Sequence, residues 1–307
     1  MEYGEMMRII VVGGSGFIGR EVVRRLLASK NDVLVTTRGN LAARSKGLRY
    51  LKWDGTDERQ IRKEVGKADV IINLSGRSIV GRWTEREKRR LLESRVATTK
   101  AITTAISNSA RKPSLFINAS AIGYYGSTGK GNVGEEGKKG SGFLPGLCER
   151  WEGEAMKASS SATRVCTVRI GAVIGDGGIT KMTGRMLSLW ISPYPEGRRQ
   201  WISWIAMDDL ARLIEFIIRD GKISGAINAT SPRPIQSREF VEAIEKAIGK
   251  RHLISIPASL SKALFGQLAD EVLLPSQRIV PTKALSEGFR FGYLSIGRAV
   301  RDALHRN

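Results

Sequence analysis

Two cysteines, two histidines and no apolar run of about 18 residues are all that this 307-residue chain offers where several classes of protein need more. Cys148 and Cys166 are too few for a disulfide framework. With His252 and His305 as the only imidazoles there is no zinc-ligand spacing, so no structural metal is expected. The start, MEYGEMMRII, carries acidic residues and lacks the basic, apolar and small-residue succession of a signal peptide. A soluble, cytoplasmic protein without a membrane partner is therefore expected. Acid is also scarce: 50 Lys and Arg stand against 30 Asp and Glu, a net +20. The basic residues are spread along the chain, with only short clusters such as EREKRR at 85–90, so nucleic acid is not expected as the partner. Such a surface raises the local concentration of acidic small molecules, among them phosphorylated cofactors and sugar nucleotides.

What is present is an alternation. RIIVVGG (8–14), DVLVTTR (32–38), ADVIINLSG (68–76), SLFINASA (114–121) and RVCTVRIGAVIG (164–175) read as strands. Helical patterns lie between them at 19–29, around 57–64, at 84–107 and at 143–158. This is the signature of an α/β chain built from βαβ units around a parallel sheet. After residue 176 the sequence loosens, and then MDDLARLIEFIIRD, GAINATS and SREFVEAIEKAIG supply helix, strand and helix. Asp208 is expected to cap the first of these helices.

The stretch GGSGFIG, comprising Gly13, Gly14, Ser15, Gly16, Phe17, Ile18 and Gly19, lies between the first strand and the first helix. Glycine is needed there for a tight turn, for close approach of the backbone to a pyrophosphate, and for a helix N-terminus aimed at phosphate charge. The second strand ends VTTR, without the acid that would hold a ribose hydroxyl. Arg38, helped by the Thr37 hydroxyl, suits an adenosine 2′-phosphate, so the expected cofactor is NADP(H). The plainer alternative is an exposed arginine in an arginine-rich chain.

The motifs GGSGFIG, INLSG, SRVATTKAI, SAIGYYG, CERWE, RIGAVIG, WISWIAMDDLARLI and LLPSQRIVPTKALSEGF together resemble the epimerase-family branch of atypical short-chain dehydrogenase/reductases, from about residue 8 to 304. The resemblance implies a Rossmann-type doubly wound parallel sheet with a small C-terminal α/β substrate lobe. Residues 8–176 would form the NADP-binding domain, and 177–307 would be mainly substrate lobe, with some segments returning to the sheet. It implies that Leu74, Ser75 and Gly76 lie along the adenosine side, that Arg95 reaches the cofactor, and that Val173 sits near the nicotinamide. A sugar-like or nucleotide-linked substrate, and a possible homodimer, belong to the same expectation.

Active members of the wider superfamily use Asn, Ser, Tyr and Lys, the last lowering the pKa of the phenol for proton transfer. Here Ser120 matches, while Arg95 stands at the Asn position and Cys148 and Glu152 stand at the Tyr and Lys positions. A glutamate beside a thiol raises its pKa, the reverse of activation. If Arg95 and Glu152 pair, the site keeps a cation in a new place. Tyr124 and Tyr125, at the exit of the strand bearing Ser120, are candidates for the missing hydroxyl: Tyr124 for proton transfer, Tyr125 for substrate. Lys181, Arg199 and Trp201 are expected to meet the substrate in the C-terminal lobe. His252 and His305 are read as non-catalytic and Cys166 as core. The chain is expected to be an NADP-dependent oxidoreductase or epimerase; the alternative is an NADPH-binding sensor that has lost its proton-transfer pair.

Overall fold

The computed structural model describes residues 6–39, 41, 45–129, 131–195 and 200–304; Arg199 and His305 lie outside them. Seven strands, numbered in chain order, form one sheet: β1 (Arg8–Val12), β2 (Asp32–Thr37), β3 (Leu48–Lys52), β4 (Val70–Asn73), β5 (Leu115–Ala121), β6 (Arg164–Ile170) and β11 (Gly225–Ala229). Their spatial order is β11-β6-β5-β4-β1-β2-β3, and every neighbouring pair is parallel. Helices α1 (Phe17–Ala28) and α6 (Met207–Asp220) cover one face. Helices α2 (Glu58–Val65), α3 (Glu85–Ser107) and α4 (Phe143–Met156) cover the other. Burial on both faces is why the strands read as continuous apolar runs and not as alternating patterns. Ile9 and Val11 serve the first core, Ile10 and Val12 the second. This is the expected Rossmann-type α/β architecture.

Local signals set the helix starts. The Asp57 carboxylate accepts from Arg59 N to open α2, and the Thr84 hydroxyl accepts from Glu87 N to open α3. The expected cap on α6 is corrected: its N-cap is Ala206, without a side-chain bond, and Asp208 sits inside the first turn, 3.4 Å from Arg25. An acid there still favours the positive end of the helix.

RVCTVRIGAVIG, read as one strand, divides at Gly171. Gly171 N donates to Ala229 O in the main sheet, whereas Ala172 N donates to Ser203 O. The chain then continues as β7 (Ala172–Ile174) in a separate pair with β10 (Trp204–Ala206). Burial of both parts hid the break. Beyond it lie α5 (Gly178–Ser188), β8 (Ile191–Ser192), β9 (Trp201–Ile202), β12 (Ile235–Gln236), α7 (Ser237–Ile248), β13 (Ile254–Ser255), α8 (Ala258–Phe265), α9 (Thr282–Ser286) and α10 (Ile296–Leu304). Trp204 and Phe240 anchor a third core between α5, α7 and α10. Among the described residues no helix is long and apolar enough to cross a membrane, and no cluster of three metal-ligating side chains occurs.

A Cβ at Gly171 would meet Ser203 O at 2.7 Å and Thr230 Cγ2 at 2.9 Å. Gly171→Val is expected to destabilise the chain by about 1–3 kcal/mol, read as a lowered urea midpoint with an unchanged m-value.

Candidate dinucleotide and substrate site

The order of the sheet reverses between β1 and β4, and the glycine turn leaves β1 at that point. In open parallel sheets this crevice at the carboxyl ends is where ligands bind. Gly13 has φ +78°, and a Cβ on it would lie 2.9 Å from the Leu74 carbonyl and from Ser75 N. A Cβ on Gly14 would strike Val35, and one on Gly19 would lie 2.2 Å from Gly13 O. Glycine at 13, 14 and 19 is thus forced by close packing of turn, strand and helix. Helix α1 begins at Phe17 with Gly16 as N-cap, no capping side chain and no acid in its first turn, so no carboxylate of the helix competes for its first amides. The Phe17 ring packs against the turn after β7, where a Cβ on Gly175 or Gly177 would come within 2.9 Å of it. These residues fit a dinucleotide: they leave backbone where its phosphates would pass.

Thr37 Oγ1 accepts from Gly39 N at 3.1 Å, and Arg38 is exposed, with no ion pair among the described residues. Ser75 donates through both N and Oγ to Asn73 Oδ1 (3.1 and 2.6 Å), and Asn73 Nδ2 donates to Asn118 Oδ1 at 2.7 Å and Thr99 Oγ1 at 3.1 Å. This buried network fixes the ends of β4 and β5. Arg95 lies under Gly76, donates to Leu91 O and Arg77 O at 3.2 and 3.0 Å, and lies over the Trp151 ring at 5.2 Å. Burial lowers its pKa from the usual guanidinium value. Val173, half-buried on β7, packs against the core around α6.

At the far end of β5 the structure assembles a buried chain that the sequence did not announce. Ser120 Oγ donates to Glu152 Oε1 at 2.6 Å. Glu152 receives a bidentate pair from Arg169, Nε to Oε1 at 2.9 Å and Nη2 to Oε2 at 2.8 Å. Arg169 Nη1 donates to the Tyr125 hydroxyl at 2.8 Å and to Glu135 O at 3.2 Å, and Tyr125 OH donates to Asn228 Oδ1 at 2.8 Å. Register puts the pair together: Ser120 lies beside Arg169 across β5 and β6, and α4 lays Glu152 over both. Burial opposes the Arg169 charge, but the bonds and charge of Glu152 outweigh it and raise its pKa. Glu152 therefore pairs with Arg169, on a neighbouring strand, and not with Arg95.

Cys148, one turn before Glu152, is 1% exposed, with Sγ 3.7 Å from Ala121 O. Burial, reinforced by Glu152, pushes its thiol up to about 11, so it is no nucleophile at neutral pH. The two tyrosines part company within a single 3-10 turn, Ile122–Tyr125. Tyr125, expected to meet substrate, is instead 3% exposed with its hydroxyl held between Arg169 and Asn228, and burial raises its pKa. Tyr124 is half-buried, its ring face 3.6 Å from Arg169 Cζ, and its hydroxyl has no hydrogen bond among the described residues.

Lys181 is exposed on α5, 3.8 Å from Asp176. Trp201 lies beneath the Arg278 guanidinium at 4.3 Å, with its amide on Ser276 Oγ. The adjoining Gln277 holds Ile122 O and Gly126 O, so this C-terminal segment clamps the turn that carries Tyr124. Glu271 clamps the other side, accepting from Phe143 N and Leu144 N at 2.9 and 2.7 Å at the start of α4. His252 Nδ1 lies 2.6 Å from Glu245, outside the site. Arg169, Asn228, Glu271 and Gln277 were all missed from sequence. Only Arg169 left a signal, a charge inside an otherwise apolar buried strand.

A doubly wound parallel sheet with a glycine cradle at its switch point defines a dinucleotide-binding α/β protein. The chain belongs to the NAD dependent epimerase/dehydratase family, whose pattern matches residues 9–229, and a domain of unknown function (DUF1731) matches residues 256–303. It is similar to the epimerase family protein YfhF of Bacillus subtilis, 32% identical over 94% of each chain. It is also similar to the chloroplastic epimerase family protein SDR39U1 homolog of Arabidopsis thaliana, 32% identical over 97% of this chain and 86% of that one. Among solved structures, human epimerase family protein SDR39U1 with NADPH superposes with a TM-score of 0.86 at 25% identity, over 98% of this chain and 100% of that one.

Two outcomes follow from the buried network. Glu152→Gln leaves the Arg169 charge buried without its counter-charge and is expected to cost about 3–5 kcal/mol in urea unfolding. The Cys148 thiol, raised from its ordinary 9.0, stays protonated while that of the unfolded chain ionises, so its contribution to stability is full below pH 9 and is lost as pH rises toward about 11. Replacing Cys148 by Ala should flatten that alkaline loss.

Proposed function

We propose that the chain binds NADP(H) across the β1/β4 crevice and is an oxidoreductase or epimerase acting on a small hydroxyl or carbonyl compound. The observation that carries the reading is Tyr124: a half-buried tyrosine laid flat on Arg169 beside the Ser120 network, its hydroxyl without a hydrogen bond among the described residues. Gly13 to Gly19 would hold the pyrophosphate, Arg38 and Thr37 the 2′-phosphate, Leu74 to Gly76 and Arg95 the adenosine side, and Val173 the nicotinamide side. The NADPH of the human structure supports the choice of cofactor. When bound, the nicotinamide supplies or accepts hydride. Tyr124 would give a proton to, or take it from, the reacting oxygen. Ser120 has its own proton engaged by Glu152, so it can accept the O–H of an alcohol substrate but has no proton to give a carbonyl oxygen. Arg169 and Tyr125 position the Tyr124 ring. A sugar-like or nucleotide-linked substrate rests on family resemblance alone.

One observation favours a second reading, an NADPH-binding sensor: Cys148 and Glu152, at the positions of the usual proton-transfer pair, are both turned inward and engaged. The two readings part on one variant. Tyr124→Phe is expected to abolish NADPH-dependent turnover of the substrate while leaving NADPH affinity, read by cofactor fluorescence, within about twofold of the parent. Full turnover in that variant removes Tyr124 from the mechanism. Arg38→Ala should weaken NADPH by about tenfold or more and leave NADH unchanged, because only the former carries the 2′-phosphate.

A further inference from the structure

The polar side chains around Tyr124 are already bonded to protein. Ser120 is engaged with Glu152, Glu152 with Arg169, and Arg169 with Glu152, Tyr125 and the Glu135 carbonyl. Arg95 spends its guanidinium on two backbone carbonyls, and the Trp83 indole N–H donates to Ile79 O at 2.8 Å. The amides that open α4, where an anion would otherwise find donors, are filled by the Glu271 carboxylate. Beside this network, Tyr124 and Cys148 also pack into an apolar cluster. This cluster runs from Leu74, beside Gly13, through Ile79 and Trp83 to Phe143, Phe265 and Leu273 on α4, α8 and the turn after it. Phe143 meets Trp83 edge-on at 5.3 Å, and Ile79, Phe143, Phe265 and Leu273 are each only half-buried, so part of each faces outward.

We propose that the substrate of this site is a compact alcohol or carbonyl compound with an aromatic or alicyclic body, and not a sugar. A pyranose brings several hydroxyls, each of which loses water on entry and needs a partner. Among the described residues this cluster offers one hydroxyl without a hydrogen bond, on Tyr124, which suits a substrate with a single reacting oxygen and an apolar remainder. The inference rests on the NADP(H) reading above and narrows it. The competing class is a nucleotide sugar, whose base and phosphates would look to the Trp201–Arg278 stack.

The test measures binding, not turnover, with the full chain. NADPH affinity is measured first by cofactor fluorescence. Phenylethanol, cyclohexanol, glucose and UDP-glucose are then titrated into the NADP+-saturated protein, with tryptophan quenching and thermal stabilisation as the readouts. Phenylethanol and cyclohexanol are expected to bind, and glucose at least about a hundredfold more weakly, the penalty that one unmatched hydroxyl alone can reach. Phe265→Ser should weaken phenylethanol about tenfold, Phe265→Leu should restore it, and NADPH affinity should stay unchanged in both. If Phe265→Ser fails to fold, Ile79→Ser on a different element makes the same comparison. UDP-glucose binding as tightly as phenylethanol, or no alcohol binding while NADPH binds, overturns the substrate class and leaves the cofactor reading standing. Failure of NADPH itself to bind overturns both.

Discussion

The site is organised around one buried ion pair. Two charges taken out of water are tolerated only when their geometry satisfies them, and Arg169 and Glu152 meet that condition: a fork of two bonds, with Ser120 taking a further lone pair and Tyr125 a further guanidinium hydrogen. Because breaking it would strand a charge in the interior, the pair fixes α4 against β5 and β6. It also dictates what the surrounding groups can do. Ser120 becomes an acceptor, Cys148 stays a neutral thiol, and Tyr124 stacks its ring on the cation with its hydroxyl unbonded among the described residues.

The cofactor side is built differently, from backbone rather than charge. Gly13, Gly14 and Gly19 let strand, turn and helix approach until a Cβ would collide, which opens the first amides of α1 toward the crevice. In the proposed site, side-chain chemistry on this side falls to Thr37 and Arg38 at the rim. One half of that site is thus built from backbone and the other around buried charge. The C-terminal segment braces the charged half, since Gln277 holds the Tyr124 turn and Glu271 caps the helix that carries Glu152.

The sequence by itself determined six of the seven strands of the sheet, missing β3, together with helices α1 to α4, α6 and α7 and the glycine turn, because these depend on period and on residues without side chains, which are local. The family resemblance pointed to Ser120 and to Cys148 and Glu152 at the positions of the usual Tyr and Lys, and the structure brings Ser120 and Glu152 together in one hydrogen bond. The sequence did not reveal the partner of Glu152: Arg95 and Arg169 are equally charged on paper, and only the register of β5 against β6 puts the second beside it. Nor did it separate Tyr124 from Tyr125, adjacent residues on a single 3-10 turn, of which the second is buried with its hydroxyl bonded and the first is half-buried against Arg169. The break at Gly171 was hidden for a similar reason, because the residues on both sides of it, Val168, Ile170, Ala172, Val173 and Ile174, are mostly apolar. Pairings across long sequence separations and the direction of a side chain on a turn are set by packing of the whole chain, and those were decided by the tertiary structure alone.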